Sequence, residues 1–175
     1  MKLFEVEWFG RTWIATDDKV RTRNPGRIER FYHSLEGEDL ALFRRACANV
    51  PDPRKFMEEH AAEFGWDAEI LAKARVFAPR PLPSPIRYFS KPWHCYANCL
   101  AKAMAEKIFY CEGLVIGPGG PTIHAWNSTD GRNVIDLGWP CQHLNRYLGF
   151  VLDLKEHADL IGAFGRFYHF AQQKH

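Results

Sequence analysis

The chain predicts an α+β fold. The observations behind this are a period-two apolar pattern at the start, helical spacing through the first half, and a later amphipathic helix followed by short strands and glycine-rich turns. Phe4, Val6 and Trp8 alternate with Glu5 and Glu7, which reads as a half-buried strand; Gly10 breaks it, and Arg11–Thr16 returns as the second arm of a hairpin. Over 27–77 the spacing is helical: Leu40, Phe43, Cys47 and Val50 share one stripe, and Phe56, Met57, His60, Ala61 and Phe64 another. Asp52 followed by Pro53 is an N-cap with proline at the first helical position, and Asp67 caps a short helix through Ile70, Leu71 and Ala74. These segments read as a hairpin and helical extension over 1–78. Four prolines within 79–85 then stop any helix and force an extended connector over 79–87.

The bulk properties exclude several classes. A chain of 175 residues, 46% hydrophobic and 14% aromatic, is long and apolar enough for a real core. A net charge of +2 calls for neither a nucleic-acid nor a membrane partner. Five basic residues between 19 and 30 stand among Asp17, Asp18, Glu36 and Glu38, the pattern of a solvated face. The N-terminus lacks a signal-type apolar core, and no run is of bilayer length. The odd number of cysteines, five, fits reduced thiols, so a cytoplasmic location is expected.

Residues 88–175 carry the chemistry. A helix over 94–107 has Tyr96, Cys99, Leu100, Ala103 and Met104 as its apolar stripe and Cys95 in its first turn. There the unpaired N–H groups favour thiolate over thiol and can hold a developing oxyanion. Cys99, one turn on, reads as core. Segment 111–117 is a compact strand, and the turn at 117–121 lacks the Lys-Ser/Thr of a phosphate loop, so it reads as a hairpin connection. Strands at 122–127 and 133–137 flank a turn at Asp130-Gly131. A pairing centred on Asp130 sets His124 directly opposite Asp136, with Cβ atoms about 4.5–5.5 Å apart. Trp126 and Val134 then share that face, while Ile123, Ala125, Ile135 and Leu137 point into the core. A two-residue turn would instead send Asp136 to the other face, so an odd-length loop is required. Cys95, His124 and Asp136 thus form a thiol, a base and an orienting acid, the set that acyl transfer through a thioester needs. Trp93, Asn98 and Trp126 are the candidates for substrate contact or a second oxyanion donor. Beyond this region, 147–154 reads as a strand, 154–163 as a short helix and 164–170 as an aromatic strand, with His157 and His169 as packing or surface residues.

His94, Cys95, Cys99, Cys111, His124, Cys141 and His143 are ligand-type residues, and Cys141-x-His143 is a compact pair. No Cys-x-x-Cys accompanies them, and neither metal nor cofactor is expected.

The strings Cys95-Tyr96-Ala97-Asn98, Glu112-Gly113, Ile123-His124-Ala125-Trp126-Asn127 and Val134-Ile135-Asp136-x-x-Trp139 resemble transglutaminase-like and papain-like cysteine enzymes. They are most similar to a group of short phage and bacterial proteins with Cys-Tyr-x-Asn, His-Ala-Trp and Val-Ile-Asp motifs. Tyr147-Leu148-Gly149-Phe150 resembles the strand that follows in that group. The match covers 88–152, and Cys99 and Gly138 depart from it, standing where alanine and a hydroxyl residue are common. The resemblance implies a papain-like or transglutaminase-like core, a nucleophile helix packed on an antiparallel sheet. It implies Cys95 as nucleophile, His124 as base, Asp136 as orienting acid, and a protein, peptide or amide substrate. The alternative is an inactive relative that binds and blocks a host protein.

Overall fold

The computed structural model describes residues 2–16, 25–82, 86–89, 94–139 and 141–153. The chain is α+β. Strands β1 (Leu3–Trp8) and β2 (Arg11–Thr16) form the expected hairpin, closed by Phe9 and Gly10, both at positive φ (52° and 62°) as a two-residue turn demands. Its burial differs from the expected pattern. Phe4 and Trp8 are about half exposed, and Leu3, Trp13 and Ile14 face inward instead. Helices α1 (Pro25–His33), α2 (Gly37–Ala48), α3 (Pro53–His60) and α4 (Ala68–Lys73) follow, with a 3₁₀ turn at Ala61–Phe64. Both predicted caps form: Asp52 accepts from the Arg54 and Lys55 amides at 3.0 Å, and Asp67 from Ile70 at 2.8 Å.

Helical spacing does not continue to residue 77. Arg75–Pro79 is strand β3, because valine, phenylalanine and the approaching proline favour extended backbone once α4 ends at Lys73. The later elements are α5 (Cys95–Glu106), β4 (Phe109–Gly117), β5 (Gly120–Ser128), β6 (Asn133–Val134), a 3₁₀ turn at Gln142–Leu144, and β7 (Arg146–Leu152). The five-stranded sheet runs β5-β4-β7-β3-β6, so the N-terminal half supplies a strand to the sheet of the C-terminal half. The readings beyond residue 153 lie outside the described residues.

Pairing is antiparallel except for β6, which runs parallel to β3. The segment at 133–137 is therefore not the long hairpin partner of β5 expected from sequence. It meets β5 through a bridge between Asn127 and Ile135, with N···O distances of 3.0 and 2.8 Å. That bridge curls the sheet upon itself. Phe77, Cys111, Val115, Trp126, Val134 and Tyr147 fill the concave side, while α5 covers the other face through Cys99, Ala103, Tyr110, Ala125 and Leu152. Met104, placed on the helix stripe by its spacing, is two-thirds exposed (67%). The hairpin and α3 pack Trp13, Phe56 and Met57 against Leu114, Ile116 and Leu148, and the Ile14 amide donates to Pro118 in the β4–β5 turn at 3.0 Å.

Candidate active site

Cys95 opens α5. His94 is the capping residue, with non-helical φ and ψ of −97° and 38°, so the Cys95 side chain leaves the first turn of the helix. Two backbone contacts anchor this end of α5 to β5. The Cys99 thiol donates to the Ala125 carbonyl at 3.3 Å, and the Ala125 backbone hydrogen-bonds Cys95. Cys99 is fully buried, the core residue its spacing indicated.

His124 lies next to Ala125 on β5, and its Nε2 is 3.0 and 3.1 Å from the two carboxylate oxygens of Asp136. Its ring also hydrogen-bonds the Cys95 thiol. The Asn127–Ile135 bridge encloses an odd number of residues, the parity that puts His124 and Asp136 on one face. It centres the register on Gly131, however, one residue beyond Asp130. His124 therefore stands opposite Gly138, and Asp136 is its diagonal neighbour on the same face. Asp130 shapes the loop, accepting from the Arg132 and Asn133 amides at 2.8 Å and pairing with Arg80 at 2.7 Å.

Asp136 is fully buried. Besides His124, its carboxylate accepts from the Tyr147 hydroxyl and the Gly138 amide, each at 3.0 Å. Its own amide donates to the Gln142 side chain at 2.7 Å. Trp139 sets its ring edge-on to His124, with centroids 5.4 Å apart. A Cβ built on Gly138 would lie 3.5 Å from Asp136 Oδ1, 3.5 Å from His124 Cε1 and 3.8 Å from Cys95 Cβ, so this glycine borders all three groups.

Electrostatics put the proton on the imidazole. Burial pushes the Cys95 thiol up, but the hydrogen bond and charge of His124 and the Ala125 backbone outweigh it and leave the thiol below its ordinary value. Burial would lower His124; the charge and hydrogen bond of Asp136, then those of Cys95, raise it to about 10. Both shifts favour a thiolate beside an imidazolium held by a carboxylate. Glu112, buried on β4 and accepting from Tyr110, is pushed up to about 8 by burial, against the Tyr110 hydrogen bond and with help from the Cys95 charge.

The structure thus brings Cys95, His124 and Asp136 together and leaves Trp126 out. Trp126 is fully buried between Phe77 and Tyr147, with no face for a substrate, so it is a core residue. Asn98 is half-buried on α5, and Trp93 lies outside the described residues. Sequence reasoning placed Tyr147 only in a strand and Gly138 only as a departure from the motif, with no role at the site for either, and did not single out Gln142. Only Trp139 had a local signal, its spacing from Asp136. The chain matches no family model, no curated protein and no solved structure.

Proposed function

We propose that the protein is a cysteine-dependent acyl-transfer enzyme of papain-like or transglutaminase-like type, acting on an amide or peptide substrate. One observation carries this reading: a thiol at a helix start interacts with an imidazole whose Nε2 sits 3.0 Å from a buried carboxylate. Cys95 attacks the carbonyl carbon and forms a tetrahedral intermediate, with the α5 N-terminal amides facing the oxyanion. His124 gives its proton to the leaving amine as the C–N bond breaks and the thioester forms. Water, or an acceptor amine, then loses a proton to His124 and releases the acyl group. Asp136 holds the imidazole in place throughout. Five free cysteines fit a reducing, cytoplasmic setting. The second reading is an inactive relative that binds a host protein, and the 8% exposure of Cys95 favours it.

Iodoacetamide alkylation mapped to each cysteine across pH, in wild type and His124→Ala, separates the two. Cys95 is expected to react fastest, with an apparent pKa below the ordinary ~8.5, and to slow when His124 is removed. A Cys95 that titrates as a free thiol or stays inert in both proteins would overturn the enzymatic reading in favour of the binder.

A further inference from the structure

Away from the triad, α1 presents Glu29 and His33, four residues apart on one helix face. Their ligand atoms and Cys141 Sγ all lie within 4.8 Å of one another. Cys141 is buried, Glu29 half-buried and His33 exposed, so the three converge on a point that solvent reaches. Tetrahedral ligands at zinc–ligand lengths of ~2.0–2.3 Å stand about 3.3–3.6 Å apart. The Cys141 Sγ to Glu29 Oε1 separation is 4.0 Å, which small rotations close. Two supports are already built. Tyr88 donates to Glu29 Oε2 at 2.8 Å, the outer hydrogen bond that orients a ligating carboxylate while leaving Oε1 toward the thiol. Cys141 itself has left-handed backbone (φ 51°, ψ 45°), a conformation uncommon for a non-glycine residue.

We propose that Glu29, His33 and Cys141 form a zinc site with a fourth position open to water. Thiolate, imidazole and carboxylate together select zinc over calcium or magnesium. The sequence expectation of no metal rested on the missing Cys-x-x-Cys. This set instead joins two ligands on a helix to one more than a hundred residues later, and His143, the sequence neighbour of Cys141, is not part of it. Bound metal would tie α1 to the loop that carries Gly138 and Trp139 and so fix one wall of the candidate active site. The site does not depend on the acyl-transfer reading.

The test uses the full-length protein stripped of metal with EDTA, and cobalt(II) as probe. One equivalent is expected to give a near-ultraviolet thiolate-to-cobalt band that zinc displaces. The band should persist in Cys95→Ser and disappear in Cys141→Ser. His33→Ala, at an exposed position where folding is not at stake, should weaken zinc binding by about 100-fold or more, since losing an outer partner alone costs ~10–100-fold. No saturable band at one equivalent, a band that survives Cys141→Ser, or unchanged affinity in His33→Ala would each overturn the site.

Discussion

At the scale of single residues, the convergence of Cys95, His124 and Asp136 was legible because they sit in short local strings: a cysteine at a helix start, then a histidine and an aspartate on neighbouring segments. The residues that hold the aspartate were not, because they come from other elements. Tyr147 is the clearest case. Its ring packs in the core against Trp126, which any buried aromatic on an alternating strand would do, and only the fold shows its hydroxyl on Asp136. Trp126 failed in the opposite direction. Beside His124 it looked like a site residue, but the sheet curls and its side chain closes the concave side. Tyr147→Phe keeps the ring and removes one donor to a buried carboxylate. Hydrogen bonds to charged groups are worth ~1.5–3 kcal/mol, so urea denaturation should show a loss of that order. The depressed Cys95 alkylation midpoint should persist in that variant. Asp136→Asn should abolish it, because the charge that holds the imidazolium is gone. An unchanged denaturation midpoint in Tyr147→Phe would mean that the hydroxyl does not support Asp136.

At the scale of elements, periodicity located the hairpin, α5, β4, β5 and β7, since each has apolar residues at one clear spacing. It missed β3. That strand is five residues long, follows α4 after one residue, and is held by β7 and β6, so nothing local separates it from the helix before it. It also overextended β6, because 133–137 alternates like a strand while only Asn133 and Val134 pair with β3. The β4–β7 pair depends on a second non-local feature. Gly113 and Gly149 face each other across it. A Cβ on Gly149 would fall 2.1 Å from the Glu112 carbonyl oxygen and 2.7 Å from Trp126 Cη2, and one on Gly113 would fall 2.2 Å from the Leu148 carbonyl oxygen. Backbone cannot yield as a flexible side chain can. Gly149→Ala is therefore expected to cost ~3 kcal/mol or more in thermal or urea unfolding. Gly119→Ala is the control. Its Cβ would meet only Ile14 oxygen at 3.6 Å, so the change should stay within ~1 kcal/mol. Equal effects from the two substitutions would mean that the strands do not approach this closely.

At the scale of the whole molecule, stability should depend on pH mainly through one buried carboxyl. Beside the raised thiols and phenols, His124, Cys95 and Glu112 around α5 have shifted values, and their signs differ. His124, raised from 6.5 to about 10, alone contributes stability that is complete below 6.5 and lost as pH rises through its folded value. Cys95, lowered from 9.0, alone contributes stability that is present above 9.0 and lost as pH falls through its folded value. The two contributions have opposite signs and offset each other where their windows overlap. Glu112 has no such partner. Raised from 4.5 to about 8, it keeps its proton in the fold and releases it on unfolding, so its contribution is complete below 4.5 and lost as pH climbs toward 8. The buried thiols and phenols with raised values act above this range. Unfolding free energy should therefore fall between pH 5 and 8, by at most about 1.4 kcal/mol per pH unit, the limit for a single proton. Glu112→Gln preserves an acceptor for Tyr110 and removes the titration. Urea denaturation at half-unit steps should show a flatter profile in that variant and greater stability than wild type at pH 8. Parallel slopes in the two proteins would mean that Glu112 ionises in the fold as readily as in the unfolded chain, and that the contact between β4 and the start of α5 is wetter than its burial implies.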